Sequence, residues 1–241
     1  MLNARCEIPA VVALALIVSI GEVYGQQAGT TPPLNSSTAA SRSTQNAPAL
    51  VEWKDNFDGN SLDEQSWERF TMEGGSGKVQ VEKGQLRMRG MDKSRAGVRS
   101  RQMFSSDRFL FEATLAKVGP EMPTVGNQAP PLGRAILAVL FDGSDRNRLE
   151  WILTSEGTFE AWAIIDGRGE RLDNHKLGTR ITSPKLAIAR RGDEFFFMGN
   201  DEIAFQKTLK NMPRSFRVML YGYSSSANDW DAVRVVTARQ P

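Results

Sequence analysis

From Ala49 to Pro241 the chain carries apolar residues at every second position in short runs bounded by Gly, Asp, Asn or Ser, with no long run at helical spacing. Successive side chains of a strand point to opposite faces, so such a chain buries apolar surface by stacking half-apolar sheets. VQVEKGQLRMRG reads as a hairpin turning at Lys83-Gly84, with Leu86 and Met88 on one face. RFLFEATLA sets Phe109, Phe111, Ala113 and Leu115 against Leu110, Glu112 and Thr114. RAILAVLFD leads through the polar turn Asp142-Gly143-Ser144-Asp145 into NRLEWILTSEGTFEAWAIID, itself a hairpin around Glu156-Gly157. KLAIARRGDEFFFMGNDEIAFQ holds two or three strands turning at Gly192-Asp193 and Gly199-Asn200, and FRVMLYGYS and WDAVRVVTA close the chain. About a dozen short strands at this turn spacing predict an all-β fold, a two-sheet antiparallel sandwich.

Composition narrows the chemistry. The single Cys and single His leave no material for a zinc site, a disulfide framework or a thiol or imidazole relay. His175 sits in LDNHKLG, read as a polar loop. Thirty Lys and Arg against 28 Asp and Glu give a net charge of +2, too small to make nucleic acid the partner.

The chain divides into three parts. Arg5 precedes the apolar stretch Ile8–Ile20, and Val23-Tyr24-Gly25 offers small residues where a signal peptidase reads, so residues 1–25 are a secretory signal peptide. The rival reading, a membrane anchor, falls short of the roughly 20 apolar residues of a spanning helix. Cleavage after Gly25 removes Cys6, one cation and two anions, and no membrane span remains. Residues 26–48, QQAGTTPPLNSSTAASRSTQNAP, carry too little apolar surface to offset the entropy of ordering and read as a flexible linker. The folded domain is 49–241, in an exported protein, secreted or periplasmic.

LVEWKDNFDGNSLDEQSWERF at the start of that domain and NDWDAVRVV at its end resemble the first and last strands of the concanavalin A-like lectin and glucanase superfamily. LAIARRGDEFFFMGNDEIAF, with its Met198-Gly199-Asn200-Asp201 turn, is similar to a strand pair of that superfamily. Within it the chain most resembles the laminarinase and agarase-type glycoside hydrolases and their non-catalytic relatives. The resemblance implies a jelly roll with a concave sheet for ligand; it does not imply a reaction. It also implies a structural calcium ion between first and last strands, at positions matched here by Asn56, Gly59 and Asp231.

Those hydrolases place Glu, Asp and Glu along one strand as ExDxxE or ExDxE, and retaining hydrolysis needs two carboxyl groups about 5 to 5.5 Å apart. Glu150 could stand at the nucleophile position, but Ile152 replaces the Asp and Thr154 or Ser155 the acid/base, while Glu156 falls in the turn. No catalytic residue is therefore assigned.

A sugar site uses aromatic faces for stacking and carboxylates, amides or guanidiniums for hydroxyls. A three-residue turn at Ser155 to Gly157 pairs Glu150 with Trp162 and Ile152 with Glu160, putting Glu150, Glu160 and Trp162 on one face while Trp151 and Phe159 pack inward. Trp53, Trp67 and Trp230 are read as core. Between Arg87 and Arg101 six cations stand against Asp92 alone, and Arg87, Arg89, Arg99 and Arg101 point away from the core, so Arg99 and Arg101 are candidates for an anionic substituent. Three functions follow: a non-catalytic module binding a glycan or anionic polysaccharide, a divergent hydrolase or lyase on the same face, or an envelope interaction domain.

Overall fold

The computed structural model describes residues 49–72, 77–89, 95–119, 132–176, 183–223 and 226–239; the segments read as signal peptide and linker lie outside the described residues. The first half of the chain forms β1 (Leu50–Asp55), β2 (Trp67–Met72), β3 (Lys78–Glu82), β4 (Gln85–Arg89), β5 (Arg95–Ser100), β6 (Phe104–Ser105), β7 (Arg108–Lys117) and β8 (Arg134–Phe141). The second half forms β9 (Arg148–Thr154), β10 (Thr158–Ile165), β11 (Arg168–Lys176), β12 (Lys185–Arg191), β13 (Glu194–Gly199), β14 (Glu202–Thr208), β15 (Ser215–Tyr223) and β16 (Asn228–Ala238). Among the described residues no helix is long and apolar enough to cross a membrane.

Turn chemistry sets the hairpins. A two-residue loop that matches the twist of its strands needs positive φ at both positions. Lys83-Gly84 (56° and 72°), Asp166-Gly167 (52° and 79°) and Asn200-Asp201 (50° and 69°) all adopt it, and they join β3 to β4, β10 to β11 and β13 to β14.

The strands make two antiparallel sheets. Sheet A runs β14-β13-β12-β7-β16-β4-β3, with β1 also paired to β16; sheet B runs β11-β10-β9-β8-β15-β5-β2, with β6 also paired to β15. The predicted all-β two-sheet sandwich is thus the observed one. One correction concerns His175, which lies in β11 opposite Phe159 and not in a loop. The strand is a polar edge paired on one side only, so it carries no apolar alternation to mark it.

Inward-facing residues of both sheets form one core that includes Trp67, Trp151, Trp230, Phe109, Phe111, Phe159 and Phe197, with Trp53 partly buried against it. Each such ring, fully buried, contributes on the order of 1.5–3 kcal/mol. Trp151 and Phe159 stack at 4.7 Å with planes 7° apart, and Trp151 Nε1 donates to Met198 O across the sandwich at 2.8 Å. Trp67 Nε1 donates to Asp55 Oδ2 at 2.7 Å, tying β2 of one sheet to β1 of the other.

Candidate functional site on the outer face of sheet B

Both outer faces carry an apolar patch beneath charged side chains; on sheet A it is Leu110, Ala187, Ala189, Phe196, Met198 and Val236. On sheet A, Glu52, Arg234, Glu112, Lys185 and Asp201 form an alternating ladder, with Arg234 Nε donating to Glu112 Oε1 at 2.9 Å and Lys185 Nζ 2.5 Å from Asp201 Oδ1. Lys185 Nζ also lies 3.8 Å from Glu112 Oε2, so these charges pair along the face. On sheet B the outer face has an apolar floor of Ile136, Ala138, Leu140, Ile152, Met219 and Tyr221, flanked by the half-buried rings of Phe70, Trp162 and Tyr223. Half-buried rings around a floor are the ingredients of a sugar platform.

Register places the side chains in rows. Trp162, Glu150, Ala138, Met219, Arg99 and Glu68 follow one another across β10, β9, β8, β15, β5 and β2. The next row is Glu160, Ile152, Ile136, Tyr221, Gly97 and Phe70. The pairings of Glu150 with Trp162 and Ile152 with Glu160 are those expected from a three-residue turn.

Glu150 is 5% exposed although it faces outward, because neighbours on both sides cover it. Its Oε1 accepts from Arg148 Nε at 2.6 Å and from the Tyr221 hydroxyl. Tyr221 reaches it from β15 and is fully buried. Burial, then the Glu150 charge, push the Tyr221 phenol well above its ordinary range. Burial alone would lower the Arg148 guanidinium, but the neighbouring Tyr221 and Glu150 raise it overall. Arg148 Nη1 also donates to Asp145 O. Arg148–Glu150–Tyr221 is therefore a locked buried network, in which the carboxylate holds its neighbours in place.

Gly97 completes the floor. A Cβ there would lie 2.1 Å from Leu220 O and 2.4 Å from Tyr221 Cβ, so only glycine fits opposite Tyr221. The missing side chain lets Phe70 on β2 and Tyr221 on β15 meet over β5, ring centroids 5.8 Å apart at 70°.

The other residues selected from sequence are placed as follows. Trp162 is half-buried on the outer face, its Nε1 donating to Glu160 Oε2 at 3.1 Å. Arg99 lies four strands from Trp162, about 19 Å at about 4.8 Å per strand. It grips Glu68, with Nη2 2.8 Å from Oε1 and Nε 3.3 Å from Oε2. That hydrogen bond holds the Glu68 carboxyl below and the Arg99 guanidinium above their ordinary values. Arg101 follows the end of β5, exposed, and its Nε donates to Glu64 O at 2.6 Å.

The basic run divides between the two outer faces. Arg87 and Arg89 belong to β4 in sheet A and Arg99 to β5 in sheet B. Both strands turn their apolar side to the same core, so their cations point to opposite outer faces. Arg89 Nη2 is 2.5 Å from Asp229 Oδ1 and Arg87 Nη1 2.9 Å from Glu82 Oε2.

Gly59 and Asp231 line one hollow of about 480 Å3 with Asp58, Asn60, Lys83, Gly84 and Gln85. Asn56 is outside that lining, its Nδ2 3.4 Å from Asp58 Oδ2. Asp231 Oδ1 accepts from Gln85 Nε2 at 2.8 Å. Two carboxylates with amide and main-chain oxygens are a donor set of the calcium type, with Asp58 joining in place of the Asn56 side chain. Among the described residues no group of three or more His, Cys, Asp or Glu is placed to hold a metal.

Sequence reasoning missed Arg148, Tyr221, Phe70, Tyr223 and Arg134. Parity with the inward Phe216 would have set Tyr221 and Tyr223 outward, but nothing local tells that β15 sits beside β5 and β8.

Several solved structures share this architecture. A laminarinase from Rhodothermus marinus superposes with a TM-score of 0.60 at 14% identity, covering 80% of this chain and 99% of that one. An endo-beta-1,3-glucanase from Pyrococcus furiosus gives 0.59 at 12% identity over 80% and 95%. A structure described with endo-acting O-glycanases that human gut bacteria use to initiate mucin breakdown gives 0.57 at 16% identity over 78% and 99%. The fold is the glucanase jelly roll. At these identities the likeness is one of fold. No family model matches the sequence, and no curated protein is significantly similar to it.

Proposed function

We propose that this protein is an exported, non-catalytic jelly-roll module that binds a glycan across the outer face of sheet B, with Trp162 as stacking platform. The observation that carries this reading is the apolar floor of sheet B flanked by the half-buried rings of Phe70, Trp162 and Tyr223, whereas the apolar patch of sheet A has only the half-buried Leu50 against it. The enzymes of the same fold named above act on glucans and on O-glycans, and polysaccharide is the ligand class we carry over. The non-catalytic part of the reading rests on β9, where Glu150 is followed outward by Ile152 and Thr154. Thr154 is buried, and its Oγ1 accepts the Thr158 N–H at 3.1 Å. Glu150 itself is committed to Arg148 and Tyr221. Export rests on the residue 1–25 signal.

A glycan array on the mature chain, followed by reducing-end and unsaturated-product assays on each hit, tests the proposal. Binding without products is expected. Reducing ends that vanish in Glu160→Gln would establish a hydrolase on the same face, and absence of any hit would leave the interaction-domain reading. Trp162→Ala is expected to weaken binding by about 1–3 kcal/mol, the scale of one flat ring stacked on an aromatic. Because the ring is half-buried on the outer floor and outside the inter-sheet core, the variant should remain folded. Unchanged affinity in a folded Trp162→Ala would reject the platform.

A further inference from the structure

We infer that the face carries a subsite for an anionic group, a sugar carboxylate or sulfate, built on Arg134 and Tyr223; this deepens the glycan-binding reading and rests on it. The row across β9, β8, β15, β5 and β2 reads Thr154, Arg134, Tyr223, Arg95 and Met72, two cations and no acid. The Arg95 and Arg134 guanidiniums lie 5.1 and 5.9 Å from the centre of the Tyr223 ring. A ring between two guanidiniums steadies both without neutralising either.

Among the described residues Arg134 makes no ion pair, and its one side-chain hydrogen bond, to Leu132 O, is 3.5 Å long. Elsewhere on this face the guanidiniums of Arg148 and Arg99 are matched to Glu150 and Glu68. Arg95 has interactions of its own, so the weight falls on Arg134. The position is also built to stay still: Arg134 N donates to Ser226 Oγ at 2.7 Å and Asn228 Nδ2 to Arg134 O at 2.8 Å, while Ser226 Oγ donates to Tyr223 O. Ser226 and Asn228 are both fully buried. A planar fork on a fixed strand end beside a half-buried ring suits two oxygens of a carboxylate or sulfate, in a place where salt screens less than at an open surface.

The test is calorimetric titration of the mature protein with three size-matched oligosaccharides, a neutral β-1,3-glucan, an oligouronate and a sulfated glucan, at low and high salt. The charged probes are expected to bind more tightly than the neutral one, with affinity that falls as salt rises. Arg134→Gln should lose about tenfold toward the charged probes while leaving neutral binding and the melting temperature unchanged. Arg134→Lys, which keeps charge but not the fork, should recover part of that loss. Preference for the uronate or the sulfate identifies which anion is taken. A folded Arg134→Gln with unchanged affinity for the charged probes would overturn the subsite, as would wild type binding only the neutral glucan, and either result leaves glycan binding standing. Failure to bind all three would remove both readings together.

Discussion

Tyr221, in β15, donates its phenolic hydrogen to Glu150 Oε1, in β9, across the intervening β8. Because it is buried and faces the Glu150 charge, the phenol holds its proton more tightly in the folded chain than in the unfolded chain, where its pKa is about 10. Stability from this pair is fully present below about pH 10 and is lost as pH rises toward the folded value, by at most about 1.4 kcal/mol per pH unit. Tyr221→Phe should cost about 1–3 kcal/mol near neutrality, because Glu150 keeps Arg148 but loses one donor. It should also flatten the alkaline part of the stability curve. Urea melts of both proteins from neutral to strongly alkaline pH check this, and parallel curves would show that Tyr221 does not titrate in the folding equilibrium.

Glu150→Ala removes the one carboxylate paired, among the described residues, with the buried Arg148 guanidinium, leaving Arg148 with Asp145 O. A loss of about 3–5 kcal/mol is expected, more than for Tyr221→Phe. Were Glu150 instead a solvated carboxylate, the same change would hardly shift the denaturation midpoint.

Gly97→Ala places a methyl against Leu220 O and Tyr221 Cβ, two groups that cannot swing aside. A destabilisation of about 1–3 kcal/mol or more is expected, and with it weaker glycan binding, since Phe70 and Tyr221 would be pushed apart. Chemical denaturation and the array give the two readouts; a variant as stable as wild type would mean that β5 shifts freely.

Much of this was legible from sequence where strands are neighbours along the chain. The Glu150–Trp162 and Ile152–Glu160 pairs follow from a turn of known length, because a hairpin's register is a local property. Contacts between distant strands were not legible. Tyr221 meets Glu150, and Arg99 lies four strands from Trp162, only because β15 inserts between β8 and β5. Counting charge along the run from Arg87 to Arg101 does not reveal that its cations divide between two faces, because the chain changes sheets between Arg89 and Arg95. Asp166-Gly167 is a strong hairpin signal, yet β11 is hard to read from sequence because its own residues, RGERLDNHK, carry no alternation.

Residues 26–48 are expected to be dispensable for stability. Their composition offers nothing to bury, and β1 begins at Leu50, paired from Leu50↔Ala238 onward. A chain starting at Ala49 should melt within about a degree or two of the full mature protein. A large drop in melting temperature would show that the segment docks on the domain.

Calcium is expected to join the end of β1 to β16. Gly59, Asp58 and Asn60 stand after β1, Asp231 stands in β16, and all four line the same hollow. An ion there would draw on the two carboxylates and on amide and main-chain oxygens toward the 6 to 8 ligands calcium takes, while Lys83 in the same lining works against a high charge density. Affinity should accordingly be modest. Added calcium should raise the melting temperature, a chelator should return it to the metal-free value, and Asp231→Asn should remove the response while leaving the Gln85 amide an oxygen to bind. A melting temperature that neither calcium nor chelator moves would leave Asp231 as the acceptor of the Gln85 hydrogen bond alone.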